Sequence, residues 1–135
     1  MGKPPLAVAL TWKGDRRFAA TANGGAITLD GDSSAGPSPM ETLAFSLAGC
    51  MAIDVVDILK KGRHHVASLE VHFSGERVDE SPRQYQRITL RYVIQGDVPD
   101  AAIERSIELS RAKYCSVWHS MRQDIEFLTA YEVKP

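Results

Sequence analysis

The first thirty residues are built from short apolar and β-prone runs. Leu6 to Trp12, Arg17 to Ala22 and Ala26 to Asp30 are separated by the turn signals Gly14-Asp15 and Asn23-Gly24-Gly25. They predict a small antiparallel meander, closed by the polar loop Gly31 to Ser38, GDSSAGPS. The period then changes. Ser38-Pro39-Met40-Glu41 has the form of a capping box, with Ser38 as N-cap, proline at the first helical position and Glu41 three residues after the cap. A helix is predicted over 39–61, ending where Lys60 and Lys61 face the negative end of the dipole and Gly62 can adopt the left-handed conformation.

The first half of that helix, TLAFSLAGCMAI, carries no charge on any face, whereas the second half is amphipathic around Asp54, Asp57, Lys60 and Lys61. The first half is therefore expected to be surrounded by protein on all sides. Its uncharged run, Thr42 to Ile53, is shorter than the roughly 20 residues that a bilayer crossing needs, so no membrane span is expected.

Two alternating runs follow. Ala67, Leu69, Val71 and Phe73 share one face of a strand, and Ile88, Leu90, Tyr92 and Ile94 share one face of another, with a turn over 76–84. Helical signals return after Gly96, with Pro99 and Asp100 at the start and Ile103, Ile107, Ser110 and Tyr114 on one stripe. This helix ends close to Cys115. A short helical turn over Val117 to Met121 and a closing strand carrying Ile125, Phe127, Thr129, Tyr131 and Val133 complete the chain. Strands, helix, strands, helix, strand indicate an α+β fold. No repeat, low-complexity tract or linker divides the chain, so residues 1–135 read as one domain.

Charge narrows the partners. Sixteen basic and seventeen acidic residues give a net charge of −1, and no Lys/Arg cluster suited to a phosphate backbone is present, so nucleic acid is not expected. The N-terminal segment MGKPPLAVALTWK lacks the form of a signal peptide, which points to the cytoplasm. Two cysteines in a reducing compartment are no permanent staple. They show neither C-x-x-C nor zinc-ligand spacing, and the four histidines, His64, His65, His72 and His119, form no ligand pattern. No metal or other cofactor is expected.

Redox chemistry or plain burial remain for the cysteines. Cys50 lies within the uncharged half of the long helix behind Gly49, and an interior glycine suggests close approach of another backbone or a substrate. Read without that hint, Cys50 is a small buried hydrophobe. Cys115 precedes the short helical turn, where partial positive charge lowers a thiol pKa; alternatively it fills a gap behind Tyr114. His119, four residues on, is a candidate to tune it. No general base near Cys50 stands out. Glu41 is a candidate carboxylate whose presence the capping box already explains, and Arg16 and Arg17 are ordinary residues for a hairpin turn.

Taken together, Gly36-Pro37-Ser38-Pro39-Met40-Glu41-Thr42-Leu43, then Leu47-Ala48-Gly49-Cys50, and then Lys113-Tyr114-Cys115-Ser116-Val117, resemble the motifs of the OsmC/Ohr family, within it the YhfA-like branch. The separation of Cys50 from Cys115 is similar to that of the family's two active-site cysteines. The resemblance implies antiparallel sheets around a long central helix in an intertwined homodimer, with two equivalent sites at the subunit interface. It further implies a metal-free thiol peroxidase in which Cys50 attacks an organic hydroperoxide and becomes a sulfenic acid. Cys115 then closes a disulfide, which an external dithiol such as a lipoyl group reduces. An arginine from the first hairpin turn, Arg17 or Arg16, activates the thiolate in that scheme. One departure stands out: peroxidase branches carry a glutamate directly after the motif proline, where this chain has Met40, and Glu41 sits one residue later, about 100° around the helix.

That departure keeps a second function open, a non-catalytic protein of the same fold that binds an apolar small molecule at the dimer interface. A thiol-dependent transferase or hydrolase is a third.

Overall fold

The computed structural model describes residues 2–135. Its elements are β1 (Ala9–Trp12), β2 (Arg17–Ala22), β3 (Gly25–Asp30), α1 (Pro39–Lys61), β4 (His65–Arg77), β5 (Tyr85–Asp97), α2 (Asp100–Leu109), a π-helical turn (Ser110–Tyr114), α3 (Ser116–His119) and β6 (Glu126–Lys134). The described residues form two compact units, one ending at Leu43 and one running from Ala44 to Pro135.

The first unit holds the predicted meander, an antiparallel sheet in the order β1-β2-β3. Its register pairs Leu10 with Ala20, Trp12 with Phe18, Phe18 with Leu29 and Ala20 with Ile27. Those pairings gather the apolar side chains on one face. Leu10, Trp12, Phe18 and Ile27 on that face remain exposed. Asp30 closes the meander. Its buried carboxylate accepts from the backbone N–H groups of Asp32 and Ala35, both at 2.9 Å, and from Arg17 Nε at 3.2 Å.

The capping box forms as predicted. Ser38 Oγ accepts from Glu41 N at 3.1 Å, and Glu41 Oε1 accepts from Ser38 N at 2.9 Å. At the other end, the left-handed residue is Arg63 (φ 62°), not Gly62. His64 N reaches back to Leu59 O at 3.0 Å in the pattern of a helix-terminating turn. A Cβ at Gly62 would lie 2.9 Å from the His64 ring, which would have to turn aside.

In the second unit, Leu47, Met51, Val55 and Leu59, spaced four apart along α1, are buried with Ile88, Leu90, Ile94, Ile103 and Phe127. Each such side chain contributes on the order of 1.5–3 kcal/mol by leaving water. The opposite face of α1 is bare: Phe45 is 67% and Ile53 63% exposed. Within one chain, then, the uncharged half of the helix is not enclosed on all sides. Gly49 likewise faces open space, with nothing within 4 Å of where a Cβ would stand. By length and composition α1 is also apolar enough to cross a membrane, with a mean hydropathy of 1.8, a test that core helices pass too.

The second sheet has the order β4-β5-β6. β4 and β5 are antiparallel and longer than the alternating runs alone indicated. A bulge between Val66 and Ser68 takes Ala67 out of register and leaves it exposed, while Leu69, Val71 and Phe73 keep their shared, half-buried face. Opposite the bulge, Gly96 adopts φ 140°, and a Cβ there would strike His65 O at 2.5 Å. β6 runs parallel to β5, so this sheet is mixed and not antiparallel throughout. The helical crossover between β5 and β6 returns the chain to the end of the sheet where β5 began, which is what parallel pairing demands.

The backbone N–H bonds from Ala35 and Asp32, aided by Arg17, hold the Asp30 carboxyl at about 2 against an ordinary 3.8. A depressed folded value contributes stability that is complete above pH 3.8 and fades as pH falls toward 2. Asp30→Asn should therefore unfold in less urea than wild type at about pH 6, with the gap narrowing through that window. An unchanged gap at both ends would remove Asp30 as the cause.

Candidate functional site

Four elements converge on the two cysteines. Cys50 stands near the middle of α1, and Asp54 follows one turn later on the same side. Cys115 lies between the π-helical turn and α3. The Cys50 Sγ, an Asp54 carboxylate oxygen and the Cys115 Sγ all fall within 4.8 Å of one another. Ser110, which opens the π turn, donates from Oγ to Asp54 Oδ2 at 2.8 Å. Tyr92, on the central strand β5, is completely buried, and its hydroxyl has no hydrogen-bond partner among the described residues.

The π turn decides where Cys115 points. Cys115 N bonds to Ser110 O at 2.8 Å, a five-residue reach in place of four. The additional residue rotates Tyr114 off the stripe of Ile103, Ile107 and Ser110 that the sequence predicts, leaving it 49% exposed. Cys115 swings inward instead and is fully buried. His119 is occupied with the same turn, its Nε2 at 3.1 Å from Arg111 O.

The two thiols consequently differ. Burial pushes the Cys115 thiol up to about 11; the N–H of Trp118, which donates to its Sγ at 3.3 Å, only partly offsets this, and the neighbouring Cys50 adds to it. This reverses the lowering expected from its place before a helix, because four residues of α3 supply too little dipole to counter desolvation. Cys50 is half-buried. Burial first, then the proximity of Cys115 and Asp54, also pushes the Tyr92 hydroxyl pKa well above its ordinary value, so the phenol stays protonated.

Two sulfurs and a carboxylate are a donor set that suits zinc. The trio comes from two elements far apart in sequence, so no ligand spacing announces it. The same closeness suits a disulfide. Asp54 also lines a cleft of about 460 Å³ together with Asp57, Lys61, Arg105 and Tyr114, which connects the carboxylate to solvent.

The remaining candidates are engaged locally within the first unit. Arg17 pairs with Asp30, and Arg16 with Asp32 at 2.9 Å and with the Gly31 carbonyl. Glu41 accepts from Ser33 Oγ at 2.6 Å as well as from its capping partner, and these bonds hold its carboxyl below the usual range. Sequence reasoning missed Asp54, Ser110 and Tyr92 as site residues. The spacing of four between Cys50 and Asp54 was a usable signal; nothing local singled out Tyr92.

Iodoacetamide added to the reduced protein should alkylate Cys50 well before Cys115, as read by peptide mass spectrometry. Equal rates would mean that the burial of Cys115 does not protect it.

A family model for OsmC-like proteins matches residues 30–129. Protein YhfA of Escherichia coli K12 is 43% identical over 115 residues, covering 84% of this chain and 86% of that protein. A crystal structure of a hypothetical protein from Aquifex aeolicus VF5 superposes with a TM-score of 0.91 at 32% identity, covering 98% of each chain. An organic hydroperoxide resistance protein, OsmC, from Legionella pneumophila shares the fold at a TM-score of 0.72 and 11% identity, over 98% of this chain and 100% of that one. The chain belongs to the OsmC-like protein family.

Proposed function

We propose that this protein is a thiol-dependent peroxidase that reduces organic hydroperoxides by a two-cysteine cycle. The observation that carries the reading is the placement of the two sulfurs within 4.8 Å of each other, although their residues lie far apart in sequence. Cys50, the more accessible thiol, takes the peroxidatic role, and the buried Cys115 the resolving one. The Cys50 thiolate attacks the O–O bond, one oxygen leaves as the alcohol, and the other stays on sulfur as a sulfenic acid. Cys115 displaces that oxygen as water and forms a disulfide, which an external dithiol, a lipoyl group being one candidate, reduces to two thiols while becoming a disulfide itself. A reducing cytoplasm suits such a cycle. The hydroperoxide-resistance role named for the Legionella protein is consistent with it.

Arg17, with Arg16 as the alternative, and Glu41 keep in this proposal the supporting roles that the family motifs imply. The second reading, an apolar-ligand binder with inert thiols, is favoured by Met40 in place of the family acid.

A homodimer is part of the proposal. The bare face of α1, continued by Leu69 and Val71, and the apolar face of the meander are surfaces that a single chain leaves in water. A second copy of the chain would cover them.

One equivalent of cumene hydroperoxide should remove both thiols of the reduced chain rapidly. Cys50→Ser should abolish the loss, and Cys115→Ser should yield a sulfenic acid that dimedone traps. Thiols that persist for hours would favour the ligand binder. In sedimentation velocity the wild type should run at twice the chain mass and Ile53→Asp at the chain mass; a monomeric wild type would sink the dimer.

A further inference from the structure

Resting on the peroxidase reading, we propose that Asp54 is the proton carrier of the resolving step, taking the proton from Cys115 as its sulfur attacks Cys50 and delivering it to the oxygen that leaves. The peroxidatic step can rely on an exposed thiol, but the resolving step begins from a buried one. Cys115 is fully buried, and a thiol held out of water keeps its proton. A resolving cysteine in that state needs a base in reach, and the Asp54 carboxylate is within 4.8 Å of both sulfurs.

The surroundings fit a carrier. The Ser110 hydroxyl, donating to Oδ2 at 2.8 Å, orients the carboxylate. Tyr92, fully buried, protonated and unpartnered among the described residues, lies in the field of Cys115 and Asp54. The cleft along Asp57, Lys61 and Arg105 opens Asp54 to solvent, so the carboxylate can reset after each turnover.

The step balances without an outside reagent. The S–H bond of Cys115 breaks and its proton goes to Asp54. The Cys115 sulfur forms the S–S bond as the S–O bond of the Cys50 sulfenic acid breaks. The departing hydroxide takes the proton from Asp54 and leaves as water, which restores the carboxylate.

The test follows alcohol release and disulfide closure separately in wild type, Asp54→Asn, Asp54→Glu and Ser110→Ala after one equivalent of cumene hydroperoxide. Asp54→Asn should slow closure by about 10²-fold or more, at least tenfold beyond any change in alcohol release, with a dimedone-trappable sulfenic acid accumulating on Cys50. Asp54→Glu should recover part of the rate, and Ser110→Ala should lose about tenfold. Closure within about twofold of wild type in both Asp54→Asn and Ser110→Ala would overturn the proposal. If wild type releases no alcohol, the peroxidase reading itself fails; closure is then compared after forming the sulfenic acid with hydrogen peroxide, and the same ratios decide the role of Asp54.

Discussion

The rotational phase of α1 is the constraint on which the rest of the second unit depends. Leu47, Met51, Val55 and Leu59 are the side chains that this helix buries, and burying them sets the direction of every other position along it. Cys50 and Asp54 come one residue before Met51 and Val55, so they fall on the flank of the buried stripe, where the π turn can meet them. Phe45, Gly49, Ala52, Ile53 and Val56 fall on the far side. A rotation of one residue, about 100°, would carry the thiol and the carboxylate together, either into the buried stripe or out to the open face. Hydrophobic burial thus supplies the alignment of a polar and reactive pair that has little cohesive energy of its own.

The π turn answers that alignment from the other side. A regular helix continued through Ser110 would keep Tyr114 on the apolar stripe and carry Cys115 past the site. Ser110, at the start of the turn, meets the Asp54 carboxylate, and the inserted residue brings Cys115 beside Cys50. The cost is a buried thiol that resists ionisation and a buried phenol with no partner. Features that weaken a core and gain nothing in packing fit a site kept for its chemistry.

Local bonding accounts for much of the first unit. Arg17 holds Asp30, whose carboxylate organises the loop that follows β3, and Glu41 closes the cap of α1. These residues start the helix at a defined position, and from there the count of residues to Cys50 is set.

Sequence alone determined the elements whose causes are local. The meander followed from alternation and turn residues, the start of α1 from its capping box, and the strand faces, Ala67 apart, from period-two patterning. The two motifs around the cysteines were enough to imply the family. What depended on tertiary structure was decided by packing between segments remote in the chain. The parallel placement of β6 depends on which edge of β5 the returning chain meets. The inward turn of Cys115 depends on a helical irregularity whose compensation lies on α1. Asp54 was visible as a charge one turn from Cys50, yet only the docking of the Ser110 turn against it made a carboxylate that serves two sulfurs. The raised thiol of Cys115 has the same origin, because desolvation is a property of what surrounds a group and not of the residues beside it in sequence.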